Sequence, residues 1–255
     1  MIIYLNCTAN LGDFVQSLPV ISGIVKENGK VTFIIRHEMK KFNGIKQFLM
    51  YQDLFDEVCF DDEVQHLNGQ QAIILSSWTR EDKNHPDRPI ETCRYENWMR
   101  DRFPQIKFEV DDSFVLKFPD YFYKLDENKY VVGDRWNGPE IDTRRKTNVL
   151  SFLEDESKFF FLDYNKTLLE NCYIIASSNK PFITNFTGIG MIGDLLNKEC
   201  FVVWSAEDWN PEYRKGNDVV WDNGKNIEKV FEKHFYLNRK AKLVHKSDLK
   251  SLLVL

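Results

Sequence analysis

The sequence predicts an α/β fold in which two successive halves are each built around a parallel sheet. Short apolar or β-branched runs alternate with helical segments along both halves, which is the rhythm of βαβ units. A polar stretch, Asp126–Lys129, separates the two series, so we predict domains at residues 1–125 and 126–255. The length of 255 residues accommodates two domains of ordinary size.

In the first half, each strand is predicted from an apolar or β-branched run that is too short to be a helix. A long polar segment, Ser76–Pro104, then interrupts the alternation of strands and helices. We expect strands at Ile2–Leu5, Val31–Ile35, Glu57–Phe60 and Ala72–Leu75, and helices from Asp13 onward, over Lys40–Tyr51 and over Thr92–Phe103.

The second half repeats the alternation and ends in an apolar segment, Ser247–Leu255, which we expect to pack on a neighbouring element. A turn containing Gly188 and Gly190 precedes the second of its three predicted helices. We expect strands at Lys129–Gly133, Phe159–Leu162, Phe182–Thr184, Cys200–Trp204 and Val219–Trp221, and helices over Asn165–Ser178, Met191–Asn197 and Asn226–His234.

Composition excludes several classes of protein. A hydrophobic content of 43% argues against disorder, and a net charge of −5 argues against wholesale binding to nucleic acid, although a local basic groove stays possible. The five cysteines are widely spaced without a CxxC pair, and the five histidines lack ligand spacing, so we expect no disulfide framework and no metal. No apolar run or leader motif suggests a membrane span or secretion, so we expect a cytoplasmic protein.

Asp13 is the first candidate functional residue. It follows the first strand and a turn containing Gly12, and ligands of open α/β sheets bind at the carboxyl ends of strands. Gly12 is a candidate ligand-binding residue, because glycine lets a ligand approach the backbone, unless it only supplies a positive φ to the turn. A carboxylate there is placed to accept a proton or to bind a polar ligand. The alternative is that Asp13 only caps the following helix.

A second candidate site lies in the other half, at Thr187, Gly188 and Gly190. Exposed backbone N–H groups and the positive end of a helix dipole make such a turn suitable for a diphosphate. The alternative is an ordinary glycine turn.

Charged residues follow two other strands of the second half. Glu207 comes after Cys200–Trp204 and is placed to accept ribose hydroxyls, unless it is only part of a surface turn. Four cations follow Lys129–Gly133, where they would neutralise a diphosphate leaving group or form a solvated loop in which Asp134 pairs with one of them. These cations are Arg135, Arg144, Arg145 and Lys146.

The segment Ser76–Pro104 interleaves arginines with aromatic residues, a combination that suits phosphate contacts and base stacking. Acidic residues in the same segment bring its local charge near zero, so a salt-bridged surface helix is the default interpretation. The candidates for binding a substrate in this segment, later called the acceptor, are Trp78, Arg80, Arg94 and Trp98.

Two motifs resemble the heptosyltransferase-like family of glycosyltransferases. One is Gly12-Asp13 followed by Pro19-Val20, and the other is the run Asn185–Gly190 followed by Cys200–Ser205. The chain departs from the family pattern in two places. Phe186 stands where an aspartate is expected, and the Gly190-Met191 region replaces an expected histidine.

The resemblance implies the GT-B fold, with two Rossmann-like domains facing across a cleft. It implies an N-terminal domain that binds the acceptor, a C-terminal domain that binds a nucleotide-sugar, and Asp13 as catalytic base. Transfer would be inverting and metal-independent, with the nucleotide-sugar as donor substrate and no cofactor. A non-catalytic nucleotide-sugar-binding protein is the alternative that the two departures suggest.

Two acceptors fit this resemblance. One is a saccharide such as lipopolysaccharide core. The other is 5-hydroxymethylcytosine in phage DNA, suggested by the Asn-, Lys- and Phe-rich composition, the arginine–aromatic segment and the basic stretch from Arg239 to Lys246. The sequence favours DNA, which would place the enzyme in the host cytoplasm. A dinucleotide enzyme is disfavoured because no GxGxxG follows the first strand.

Overall fold

The computed structural model of the chain comprises two compact units. The first unit combines Met1–Phe122 with Tyr164–Tyr173, and the second combines Tyr123–Asp163 with Ile174–Leu255. The predicted boundary near residue 125 and the roles assigned to the two halves stay predictions. The structure describes residues 1–6, 10–64, 72–76, 94–120, 126–134, 153, 157–205, 228, 231, 232, 235, 237 and 240–253.

The first unit contains a four-stranded parallel sheet in the order β3-β2-β1-β4. In β1, Ile3 and Leu5 are buried and the alternate residues are partly exposed, whereas four of the five residues of β2 are buried. The helices that cover such a sheet explain why the sequences of its inner strands are mostly apolar. The strands are β1 (Ile2–Leu5), β2 (Val31–Ile35), β3 (Phe55–Phe60) and β4 (Ile73–Leu75).

The helices of the first unit connect these strands. The long helix α1 buries Phe14, Leu18 and Ile21 completely. The bounds are α1 (Leu11–Asn28), a 3-10 helix (His37–Lys41), α2 (Ile45–Tyr51) and α3 (Arg94–Arg102).

A buried carboxylate attaches the segment after α3 to α1. Asp111 is 7% exposed and accepts hydrogen bonds from Ser22 Oγ at 2.6 Å and Ser113 Oγ at 2.6 Å. Lys26 Nζ lies 2.7 Å from its Oδ1. Burial alone would raise the pKa of Asp111, but the bonds from Lys26, Ser113 and Ser22 outweigh it and lower the pKa to about 2.

The second unit contains a five-stranded parallel sheet in the order β6-β5-β7-β8-β9. Ile183, Val203 and Leu249 are among the residues of its core. The strands are β5 (Tyr130–Gly133), β6 (Phe159–Phe161), β7 (Phe182–Thr184), β8 (Cys200–Trp204) and β9 (Ala241–His245), and the helices are α4 (Leu168–Ser177), α5 (Gly188–Leu195) and α6 (Lys246–Leu252).

A capping box begins α4. Thr167 Oγ1 accepts a hydrogen bond from the Glu170 N–H at 3.2 Å, and Glu170 Oε2 accepts one from the Thr167 N–H at 2.8 Å. This helix starts in the part of the chain that belongs to the first unit and ends in the second unit, because the division falls between Tyr173 and Ile174.

Four of the predicted strands, β1, β2, β7 and β8, have the expected bounds, and four more lie within two residues of them. The predicted helix Lys40–Tyr51 is confirmed only from Ile45 onward: α2 begins there because Gly44 takes a left-handed conformation with φ 72°. Val219–Trp221 lies outside the described residues, as does most of Asn226–His234.

The basic stretch near the C-terminal end also differs from the expectation. Part of it is strand β9, which the sequence does not predict, and Lys242 Nζ on this strand lies 2.6 Å from Glu199 Oε1. The apolar segment Ser247–Leu255 contributes most of α6, whose Leu249 and following Leu253 are buried. Among the described residues, no helix combines the length and apolarity that a membrane crossing requires.

The Asp111 network makes the stability of the protein depend on pH. Because its folded-state pKa of about 2 lies below the ordinary value of 3.8, the network stabilises the fold fully above pH 5 and loses this effect as the pH falls towards about 2. The stabilisation at neutral pH is about 2 kcal/mol. Asp111→Asn should therefore lower the free energy of unfolding at pH 7 and flatten its dependence on pH, as measured by urea denaturation.

The exposed neighbour provides the control for this prediction. Asp112→Asn should leave the free energy of unfolding at pH 7 unchanged, because Asp112 is exposed. An Asp111→Asn protein with the wild-type slope between pH 5 and pH 2 would contradict the assignment.

Candidate functional site

The topology of each sheet marks the place where a ligand is expected. In parallel α/β sheets, ligands bind at the carboxyl ends of strands where the direction of the connections reverses. In the first unit this place lies between β1 and β4, which we call the first switch point. In the second unit it lies between β5 and β7, which we call the second switch point.

The first switch point contains the start of α1. The Asn6 N–H donates to the Leu75 carbonyl at 2.9 Å, which joins the ends of β1 and β4. Asn10 is the N-cap residue of α1, and its carbonyl accepts the Phe14 N–H at 3.3 Å.

Gly12 and Asp13 are therefore the second and third residues of α1, and the predicted turn around Gly12 is wrong. Asn10 is the N-cap residue, and its side chain makes no capping hydrogen bond, so the capping alternative for Asp13 also stays a prediction. A carboxylate in the first turn of a helix is stabilised by the positive end of the helix dipole. Asp13 as a catalytic base stays a prediction.

The second switch point is built by side chains at the ends of β5 and β7. Thr184 Oγ1 donates to the Gly133 carbonyl at 2.8 Å. Asn185 Nδ2 donates to Asp134 Oδ1 at 2.6 Å. Asn185 is only 3% exposed, so a buried amide holds the carboxylate at the end of the neighbouring strand. This partner of Asp134 is one that the sequence does not predict.

The helix α5 begins at the second switch point. Its N-cap residue, Thr187, is extended, and its side chain makes no capping hydrogen bond. Thr187 Oγ1 is buried and has no hydrogen-bond partner among the described residues. The first turn of α5 contains no acidic residue, so no acidic side chain of this turn competes with an anion for its N–H groups and dipole.

Gly188 and Gly190, predicted in a turn before the helix, lie inside its first turn. A Cβ at Gly190 would approach the Asn185 carbonyl oxygen to 2.7 Å, so only glycine lets the start of α5 lie this close to the end of β7. Asn185 therefore contacts both the carboxylate of Asp134 and the helix start.

Two predicted acceptor residues lie on α3. Arg94 is its first residue, and the indole N–H of Trp98 donates to the Ile74 carbonyl on edge strand β4 at 2.7 Å. The Arg102 guanidinium lies 5.2 Å from the centre of the Trp98 ring. The other candidates lie outside the described residues, namely Trp78, Arg80, Arg135, Arg144, Arg145, Lys146 and Glu207.

Sequence reasoning missed a polar cluster at the ends of β2 and β3. Asp61 Oδ1 lies 2.8 Å from the backbone N of His37 and 2.9 Å from its Nδ1. The hydroxyl of Tyr4 donates to Asp61 Oδ2 at 3.3 Å. Burial by itself would raise the pKa of Asp61, but these bonds give a net lowering. Both His37 and Asp61 follow predicted strands closely, and this position at two strand ends is the feature of the sequence that could have indicated the cluster.

The same cluster is the group of side chains in the described residues that could hold a metal ion. The ligand atoms of His37, Glu38 and Asp61 lie within 4.8 Å of one another. Arg36 Nε donates to Glu38 Oε2 at 3.1 Å, and this bond lowers the pKa of Glu38. We interpret the cluster as an internally paired network, because each carboxylate already has a cationic or N–H partner.

Comparison with known proteins shows the fold. No family model matches the chain, and no curated protein matches it. A glycosyl transferase family 9 structure from Veillonella parvula has a TM-score of 0.57 at 11% identity and covers 98% of this chain and 87% of its own. The chain has a glycosyltransferase fold.

Two heptosyltransferases have the same fold. E. coli heptosyltransferase WaaC with ADP has a TM-score of 0.53 at 9% identity, over 99% of this chain and 98% of its own. E. coli ADP-heptose lps heptosyltransferase II has a TM-score of 0.52 at 10% identity, over 95% and 89%. The family resemblance is thus confirmed at the level of fold.

The hydroxyl of Thr187 generates a prediction about stability. Because it does not cap α5, Thr187→Val should keep or slightly raise the free energy of unfolding measured by urea denaturation. The matched control is Thr167→Val, which breaks the capping box of α4 and should cost about 1 kcal/mol. A comparable loss in Thr187→Val would mean that this hydroxyl supports the helix.

Proposed function

We propose that the protein is a glycosyltransferase that moves a sugar from a nucleotide-sugar to an acceptor hydroxyl. The observation that carries the proposal is the second switch point, the place at which ligands of parallel sheets bind. There α5 begins without a side-chain cap, and Thr187 Oγ1 is buried without a partner among the described residues. The shared fold with glycosyltransferases, one of them described with ADP, gives this anion site its interpretation.

In this proposal, the diphosphate of the donor binds at the first turn of α5. The N–H groups of that turn and the hydroxyl of Thr187 donate hydrogen bonds to its oxygens. The basic residues Arg135, Arg144, Arg145 and Lys146 neutralise the leaving diphosphate, and Glu207 accepts the ribose hydroxyls. Neither a cofactor nor a metal ion is required for this chemistry.

Asp13 is the proposed base of the reaction. Its carboxylate takes the proton of the acceptor hydroxyl while that oxygen attacks the anomeric carbon. The bond from this carbon to the diphosphate oxygen breaks, and the configuration inverts.

A saccharide is the proposed acceptor. Two of the structures with the same fold are heptosyltransferases, and one is named for lps. Two of the features that favoured DNA make internal contacts: Lys242 pairs with Glu199, and Trp98 donates to Ile74. Phage DNA containing 5-hydroxymethylcytosine remains the alternative that the experiment must include.

Mass spectrometry of acceptors tests this proposal. The protein is incubated with a panel of nucleotide-sugars and with either lipopolysaccharide core oligosaccharide or hydroxymethylcytosine DNA. A mass gain on the oligosaccharide supports the saccharide acceptor, and a gain on the modified base replaces it with DNA. Bound but unconsumed nucleotide-sugar would instead indicate a non-catalytic binding protein.

The role of Asp13 gives a kinetic prediction. Asp13→Asn should lower kcat by roughly a hundredfold or more, since it removes the proton acceptor, and should leave the Kd for ADP unchanged. The matched control is Asp56→Asn, an exposed aspartate on β3 that should retain full activity. A fully active Asp13→Asn enzyme would remove Asp13 from the mechanism.

A further inference from the structure

A carboxylate stands beside the proposed diphosphate site, and the function described so far does not use it. Asp134 lies at the end of β5, adjacent to β7, which leads into α5. A negative charge at that place repels a diphosphate and weakens its binding. The carboxylate therefore favours donor binding only if it contacts another group of the donor.

We propose that Asp134, held by Asn185, binds hydroxyl groups of the sugar that is transferred. The inference rests on the proposed function, because it assigns part of the same donor. A carboxylate is an acceptor only, and sugar hydroxyls are donors that a fixed carboxylate can orient. The second switch point then binds two different groups: the start of α5 binds the anionic diphosphate, and Asp134 binds neutral sugar hydroxyls.

The position of Asp134 is set by the same residue that contacts the helix start. The side-chain Nδ2 of Asn185 donates to Asp134 Oδ1 at 2.6 Å, and the carbonyl of Asn185 accepts the Thr187 N–H at 2.7 Å. The close approach of Gly190 fixes α5 against that carbonyl. One buried side chain therefore sets the relation between the carboxylate and the diphosphate site, as differential recognition of two ligand groups requires.

The order of the strands gives the direction of the donor. β7 lies between β8 and β5 in the sheet. The ribose is assigned to Glu207, which follows β8, so the nucleoside extends from the diphosphate towards β8. The sugar on the other phosphate then extends towards β5, where Asp134 lies.

Binding measurements by isothermal titration calorimetry test the assignment. The probes are ADP, UDP and GDP, each compared with a conjugate: ADP-heptose, UDP-glucose or GDP-mannose. The wild type should bind one conjugate more tightly than its nucleotide. Asp134→Asn should reduce that gain by roughly tenfold or more, because a charged acceptor is lost. It should bind the bare nucleotide equally well or more tightly, because a repulsive charge is removed.

The chain offers a matched control at the same edge of the sheet. Asp163 is exposed and follows β6, on the other side of β5, so Asp163→Asn should change neither affinity. A second variant, Asp134→Glu, keeps the charge but displaces the carboxylate. It should also lose the gain from the sugar, and thermal unfolding verifies that each variant is folded.

The outcomes separate this inference from the proposed function. If no nucleotide binds the wild type, both fail. If nucleotides bind but no sugar improves binding, or if Asp134→Asn retains the gain, the inference fails and the proposed function stands. An equal loss for nucleotide and conjugate would show that the Asp134–Asn185 bond only supports the fold, and this too overturns the inference.

Discussion

Parallel strand pairing is the constraint on which the rest of this structure depends. A parallel pair needs a crossover connection, so helices must cover the sheets and the inner strands must be apolar on both faces. The same pairing collects the carboxyl ends of all strands at one edge of each sheet. In the first unit, β2 and β3 lie on one side of β1 and β4 lies on the other. In the second unit, β6 lies on one side of β5, and β7, β8 and β9 lie on the other. Among the described strands, the direction of the connections thus reverses once in each sheet. At the second reversal, polar side chains bond to these strand ends: Thr184 Oγ1 donates to the Gly133 carbonyl, and Asn185 Nδ2 donates to Asp134.

The two switch points have the same topology, but their helix starts differ in acidic residues. The first turn of α1 contains the carboxylic residue Asp13, whereas the first turn of α5 contains no acidic residue and is N-capped by a threonine that does not bond to it. A helix start with an acidic residue in its first turn is a poorer site for an anion than one without. This difference, and not the fold alone, distinguishes the unit that we assign to the acceptor from the unit that we assign to the donor.

Local sequence accounts for most of the elements, and nonlocal contacts account for the errors. Cys200–Trp204 is predicted correctly because five apolar residues in succession suit only a buried strand. β9 escapes prediction because Lys242 and His245 interrupt its apolar pattern, which an edge strand tolerates since one side of it is free. The helix starts at Leu11 and Gly188 are earlier than expected because glycine suggests a turn, whereas tertiary packing holds it in a helix.

The candidate site also has a part that local sequence predicts and a part that it does not. A strand, a turn signal and a helix were enough to place Asp13 and Thr187 at strand ends. The pairings Asp134–Asn185 and His37–Asp61 join residues that are 51 and 24 positions apart, and no local pattern contains that information.

The helix α4 has a practical consequence for anyone who wishes to dissect this protein. Its first residues belong to the first unit and its last residues to the second unit. Each unit therefore consists of two separate segments of the chain. A fragment that ends near residue 125 would lack Tyr164–Tyr173 of the first unit, and with it the Asn43 Nδ2 bond to the Asn165 carbonyl at 2.8 Å. Exchange of halves between homologous enzymes therefore needs two further junctions, one before Tyr164 and one inside a helix.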